Sequence, residues 1–269
     1  SGFIGKNLIN FLKKKKFKLF VIENNKKINL NKKNKIKCSL NETNKILNFI
    51  DQIKPDYLIH LAWSGIPDFS NKNNFKNYIQ QIKFIKMIKM TKIKKIFISG
   101  SCFEYGNKFG ELKENMNVKK IDNYAKVKKK IFSFSYQQLK RKLIWGRIFY
   151  VYGKYQRKGS LINLVTKSKK ITINDPFKLC DFIHIDDVCD AILKLSKSKY
   201  SGIINISSNN PLLVSEFCEI SKKILNKKKL LFEINSKSKF YGNWGDNSKL
   251  INLGWIPKTN IKKGILKSI

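Results

Sequence analysis

Tyr124 and Lys128 stand four residues apart in "NYAKVKKK", a stretch with helical spacing. On a helix that interval puts both side chains on one face, one turn apart. A phenol beside an ammonium is a proton-transfer device. Free tyrosine titrates near pH 10, so about one part in a thousand is ionised at neutral pH. A nearby cation favours the tyrosinate, and lowering the pKa by about three units takes about 4 kcal/mol of differential stabilisation. The interval alone says little, because the chain holds ten tyrosines and 56 lysines and arginines, of which only Arg141, Arg147 and Arg157 are arginine. Tyr136/Lys140 and Tyr150/Lys154 repeat the pattern. Tyr150 falls in a strand-like run, where a residue four places on is not a close neighbour, and Tyr136 lies roughly 120° around the helix from Tyr124.

A second constellation opens the chain. In "SGFIGKNLINFL", Gly2 and Gly5 precede an apolar helical pattern and read as the second and third glycines of a phosphate-binding G-x-x-G-x-x-G turn. Glu23 ends the apolar run "FKLFVIE" that follows, where a carboxylate can accept hydrogen bonds from a ribose. The turn's first glycine and the strand before it are expected upstream of Ser1.

These residues need a scaffold that collects strand ends. "FKLFVIE" (17–23), "DYLIHLAW" (56–63), "KKIFISGS" (94–101), "LIWGRIFYVYG" (143–153) and "GIINISS" (202–208) read as strands. Residues 42–53, 75–90 and 122–139 show helical spacing between them. Alternation of this kind predicts an α/β fold, a doubly wound parallel sheet that is Rossmann-like, with ligands bound beyond the carboxyl ends of the strands. "DNSKL" (246–250) reads as a capped helix start and Trp255 as core.

Composition narrows the function. Five scattered cysteines and two histidines support neither a disulfide framework nor a metal site. The longest nearly uncharged run, 143–153, contains Arg147 and is too short to span a bilayer, and "NLINFLKKKK" has charge and apolar residues in the reverse order of a signal peptide. No membrane association and a reducing, cytoplasmic setting are the expectation. The formal charge of +38 invites a nucleic-acid reading. The excess, however, is lysine spread over the whole chain, including "KKKK" at 13–16, without arginine forks or aromatic platforms. We read it as compositional drift and expect no specific nucleic-acid partner.

"SGFIG", "HLAW", "SGSCFEYG", "YAKVK", "RIFYVYG", "DFIHIDDV" and "LGWIP" follow one another between residues 1 and 257. In order and spacing they resemble the extended short-chain dehydrogenase/reductase family, the NAD-dependent epimerase/dehydratases of nucleotide sugars. The resemblance selects Tyr124 among the three tyrosine pairs and implies an enzyme. Tyr124 would be the base that takes the proton of a sugar hydroxyl, Lys128 would tune it and hold the nicotinamide ribose, and Ser101 would hydrogen-bond the reacting oxygen. For NAD it implies contacts at Gly2, Phe3, Ile4, Gly5 and Glu23, then Ser39 and Leu40. Further contacts are implied at Leu61, Ala62, Trp63, Asn77, Lys128 and Phe149. Ser39 stands where the family usually has aspartate.

For substrate the resemblance implies Glu104, Tyr150, Ser160 and Lys178. Cys180 occupies the place of an arginine that usually pairs with the substrate's diphosphate, with Lys178 two positions earlier. Cys102 and Phe103 stand where dehydratases carry acids, which argues against 4,6-dehydration. The implied organisation is a cofactor domain over 1–152, its first strand missing, and a substrate lobe over 153–269, with about 181–208 returning to the core. The implied reaction is at C4 of a nucleotide-linked sugar, by a 4-epimerase or 4-ketoreductase that could work as a homodimer. A nucleic-acid-binding or non-catalytic member of the same fold is the alternative.

Overall fold

The computed structural model describes residues 2–24, 28, 30–116, 118, 121–235, 237 and 239–269. Strands β1 (Val21–Glu23), β2 (Lys35–Lys37), β3 (Tyr57–His60), β4 (Lys95–Ser101), β5 (Gly110–Leu112), β6 (Leu143–Ile148) and β7 (Tyr150–Tyr152) precede β8 (Lys170–Ile173), β9 (Lys178–His184), β10 (Gly202–Ile206), β11 (Pro211–Leu213), β12 (Leu231–Ile234) and β13 (Tyr241–Gly245). Helices α1 (Phe3–Lys13), α2 (Thr43–Ile53), α3 (Asn71–Lys89), α4 (Asn123–Leu139) and α5 (Leu161–Lys167) are followed by α6 (Ile185–Lys197), α7 (Val214–Ile224), α8 (Ser248–Asn252) and α9 (Ile261–Lys267).

The central sheet is parallel, in the order β10-β6-β4-β3, with β1 and β2 forming a separate parallel pair. Continuous apolar runs are what such strands require, since both faces are covered. All six residues of β6 are buried. One face packs against α1 and α6 through Leu8, Leu12, Val188 and Ile192, with Trp255 completing the layer. The other packs against α2, α3 and α4 through Ile46, Phe84, Ile88 and Ile131. The result is a three-layer α/β/α fold of Rossmann type.

The register brings chemistry to one rim. Ser101 closes β4 opposite Ile148 at the end of β6. Helix α4 starts where Asp122 accepts the Ala125 N–H at 2.7 Å, which places Tyr124 in its first turn beside that rim. Helix α3 begins at Asn71, earlier than its spacing suggests, because Ser70 caps it by accepting the Asn73 N–H.

The run 143–153 is two strands, not one. It breaks at Phe149, whose N–H donates to Ile206 O at 3.1 Å. Before the break β6 pairs with β4 and β10, and after it β7 pairs with β9. Residues 17–20 are not in a strand, and β1 starts only at Val21. Beyond β7 the chain builds a smaller region from β8, β9, β11, β12, α5 and α7 around Phe217, Phe182 and Val165. Helix α6 and strand β10 lie in the central layers.

Candidate active site

Ser101, Tyr124 and Lys128 meet at the carboxyl end of β4. The Phe103 N–H donates to Ser101 Oγ at 3.2 Å, which leaves the hydroxyl hydrogen to be donated elsewhere, and the Tyr124 phenol lies within its hydrogen-bond reach. Tyr124 is half-buried in an aromatic collar, its ring 5.1 Å from Trp63, 4.9 Å from Phe69 and 6.2 Å from Phe103. Burial first, and then the Glu104 carboxylate, push its phenol above the ordinary tyrosine range, while the Ser101 hydroxyl acts in the opposite sense. The phenol is therefore protonated at neutral pH.

Lys128 is 5% exposed. Its Nζ donates to Ser99 O at 2.9 Å and lies 4.3 Å from the Trp63 ring centroid and 5.9 Å from that of Tyr124. Burial lowers its pKa to about 8, with Glu104 pulling it back up. The expected tuning of Tyr124 by Lys128 is not seen in this geometry, because the ammonium turns toward Ser99 O. Two of its three donors have no protein acceptor among the described residues, so they are available to ribose hydroxyls.

The residues expected at the cofactor divide into two groups. Gly2 caps α1 without a side chain, the first turn carries no acid, and a methyl on Gly2 would meet nothing within 4 Å. The unpaired N–H groups of that turn suit a pyrophosphate. Gly5 faces Leu61, with 4.0 Å between a methyl there and Leu61 Cδ1. Glu23, 6% exposed, closes β1 and accepts the Ile28 N–H at 2.8 Å, with Lys35 Nζ at 3.8 Å. Lys26 and Lys27, which could offset the charge of Glu23, lie outside the described residues.

Asn77 serves the scaffold. It accepts the Ser64 N–H at 2.8 Å and donates to Ser64 O at 3.0 Å and Asn73 O at 2.9 Å, which pins the loop carrying Leu61, Ala62 and Trp63. Trp63 keeps a buried indole N–H without a partner. Ser39 shapes a turn, its N–H donating to Glu42 and its Oγ accepting the Asn41 N–H, and Leu40 packs into the core against α2 and α3. Phe149 is buried beside Tyr105.

A cavity of about 280 Å³ opens beside this rim, lined among others by Ser101, Phe103, Phe149, Tyr150, Gln156 and Phe182. Tyr150 thus shares a wall with Ser101. Ser160 caps α5 with a buried, unpartnered hydroxyl. Lys178 Nζ sits 5.5 Å from the Tyr150 ring centroid and 5.3 Å from that of Tyr241. Glu104 departs from expectation. It is fully buried, lies outside the cavity lining, and its carboxylate is consumed by Ser101 N–H, Trp145 and Arg147. Gln156 was not anticipated. Its Nε2 donates to Val151 O at 2.7 Å while its buried Oε1 has no partner.

Among the described residues no group of histidines, cysteines and acids could hold a metal, all five cysteines are free and buried, and no helix is long and apolar enough to cross a membrane. His184 is a packed residue that caps α6 by accepting the Asp186 N–H at 3.2 Å.

A profile of the NAD dependent epimerase/dehydratase family matches residues 1–207. With the fold and this site, the match settles the class: the chain belongs to that family, whose cofactor is NAD. Among curated proteins it is similar to GDP-L-fucose synthase 1 of Arabidopsis thaliana, 32% identical over 90 residues, which is 32% of this chain and 28% of that protein. It is also similar to CDP-abequose synthase of Salmonella muenchen, 29% identical over 142 residues, 46% of this chain and 45% of that protein. The matched stretches thus span less than half of either relative. Among solved structures, UDP-glucuronic acid 4-epimerase from Bacillus cereus in complex with NAD superposes with a TM-score of 0.83 at 21% identity, covering 99% of this chain and 94% of that one. At that identity the likeness establishes the fold.

Proposed function

We propose that the chain is an NAD-dependent oxidoreductase or epimerase acting at C4 of a nucleotide-linked sugar, with Tyr124 as the proton-transfer group. The observation that carries this reading is the meeting of Ser101, Tyr124 and Lys128 at one strand rim, beside a cavity that Ser101 itself lines. NAD fits the residues present: the open Gly2 turn for the pyrophosphate, Glu23 for the adenosine ribose, and the spare donors of Lys128 for the nicotinamide ribose. When bound, the nicotinamide supplies or accepts hydride.

The protein's own part is proton handling. Tyr124, held protonated, donates to the oxygen at C4 as a ketone becomes an alcohol, and takes that proton back in the reverse direction. Ser101 donates its hydroxyl hydrogen to the same oxygen and fixes its position. The Trp63, Phe69 and Phe103 rings pack around the phenol and limit its contact with water. Tyr150, Ser160, Gln156 and Lys178 would meet the sugar and its diphosphate, Lys178 supplying charge where Cys180 cannot. We place the substrate lobe at 153–269, with about 181–208 belonging to the core. The pairing of β10 with β6 supports that division.

The test is turnover of UDP-, GDP- and CDP-linked hexoses and their 4-keto derivatives with NAD or NADH. The reading predicts conversion at C4 by the native chain and loss of conversion in Tyr124→Phe. Equal activity in the two proteins would refute it.

A further inference from the structure

We propose that Glu104 is a positioning residue of this site: its buried carboxylate fixes the turn that presents the Ser101 hydroxyl and sets a negative charge behind Trp145, on the Lys128 side of the site. The role presupposes the proton-transfer reading of Ser101, Tyr124 and Lys128.

The geometry is a closed set of donors around one carboxylate. Ser101 N–H donates to Glu104 Oε1 at 2.8 Å, Trp145 Nε1 reaches both oxygens at 3.0 and 3.1 Å, and Arg147 Nε donates to Oε2 at 2.9 Å. The first of these bonds and the Phe103 N–H bond to Ser101 Oγ together make a reciprocal capping box at the end of β4. The Ser101 backbone and hydroxyl are therefore set by Glu104 and by the turn it closes. Space is reserved for this arrangement: a methyl on Gly100 would collide with the Trp145 indole nitrogen and lie 2.7 Å from Glu104 Oε1.

Stability does not explain the charge. The Glu104 and Arg147 side chains are 0% and 5% exposed, and a fully buried ion pair costs so much desolvation that an apolar pair of similar shape often stabilises as well or better. What an apolar pair could not supply is negative charge near Lys128. The groups facing that ammonium are Ser99 O and the rings of Trp63, Tyr124 and Trp145, with His60 on β3 and Glu104 beyond β4. Burial lowers the His60 pKa to about 4, so that imidazole is neutral at working pH. Trp145 links the two groups: its indole N–H donates to Glu104 at 3.0 Å and its ring centroid lies 5.9 Å from Lys128 Nζ, so the carboxylate's charge opposes the desolvation of that ammonium. Tyr124 faces Glu104, Ser101, Cys102 and Asp122, and the Glu104 charge raises its phenol too. One carboxylate thus favours the protonated form of both groups, for Tyr124 as the smaller effect beside burial.

The experiment compares the native chain with Glu104→Gln and Glu104→Asp by two readouts. The first is kcat for reduction of a 4-keto nucleotide sugar by NADH as a function of pH. The second is the pH titration of the Lys128 Nζ resonance in isotopically labelled, ligand-free protein, assigned by its loss in Lys128→Met. In Glu104→Gln the basic limb and the Lys128 titration should both move to lower pH by about one unit, so that kcat falls about fivefold at pH 8, about tenfold well above it and much less at acid pH. Glu104→Asp should restore the Lys128 titration while losing part of kcat through the displaced Ser101 turn. If Glu104→Gln does not fold, Glu104→Gln/Arg147→Met removes both charges and should show the same Lys128 shift. A Lys128 titration unmoved in the folded variant overturns the proposal, whatever happens to kcat. Failure of the native chain to turn over any 4-keto sugar would sink the functional reading instead, and the titration would still decide the role of Glu104.

Discussion

At the carboxyl end of β4, a phenol, a hydroxyl and an ammonium are held with different access to water, and each makes a separate demand on the chain. Tyr124→Phe keeps the ring and its collar while removing the proton, so kcat should fall about 10²–10⁴-fold with the fold intact. Tyr136, 55% exposed on the same helix, should tolerate Phe within twofold. Equal losses in the two variants, measured by NADH oxidation and circular dichroism, would contradict the assignment. Lys128 pays in stability for its burial: its pKa is lowered to about 8 from 10.5, so between those values the unfolded chain binds the extra proton and native stability rises with pH. Lys128→Met should therefore be the more stable protein below pH 8, by on the order of 3 kcal/mol, and the gain should vanish as pH rises through that window. Urea unfolding at several pH values measures it. Glu23 poses a charge question: Glu23→Arg should reverse the preference for NAD over NADP in kcat/KM, because the carboxylate repels a 2′-phosphate that arginine would attract.

Tyr124 was legible because it sat in register with six other short motifs; the four-residue interval was matched twice elsewhere. Glu104 was not legible as a buried anchor, since its partner Arg147 is 43 residues away and nothing local joins them. The signal available was rarity. A chain that uses lysine almost everywhere keeps only three arginines, and one of them is 4% exposed against a carboxylate.

Elements were readable where one strand or helix does one job. β3, β4 and β10 and helices α2 and α4 fall inside the predicted segments. The segment 143–153 misleads because hydrophobicity is continuous across Phe149 while the hydrogen-bond partners change from β4 and β10 to β9. The beginning of α3 was missed because Ser70, a polar cap, sets it, and its first turn carries no apolar period. Helix α3 also carries a load beyond its own packing, through Asn77. Asn77→Ala would orphan the Ser64 N–H and leave Ser64 O with Asn73 as its remaining donor, so it should destabilise the protein by about 2 kcal/mol and weaken NAD binding through the loosened Trp63 loop. Unchanged thermal stability and NAD affinity would place the loop's support elsewhere.

Across the whole molecule the formal charge is +38, and the cavity beside Ser101 has no aspartate or glutamate in its lining. If that charge is drift, RNA binding should be weak, indifferent to sequence and lost steeply with salt, whereas a sequence-selective complex at physiological salt would revive a binding role. The absence of acids at Cys102 and Phe103 predicts that no 4-keto-6-deoxy product forms from a nucleotide-hexose, and release of water would contradict it. The most direct measurement supplies stereospecifically deuterated NADH with a 4-keto nucleotide sugar and locates the label in the product by NMR. The account predicts deuterium at C4 with the native chain and none with Tyr124→Phe. Label at another carbon, or transfer that survives loss of the Tyr124 hydroxyl, would contradict it.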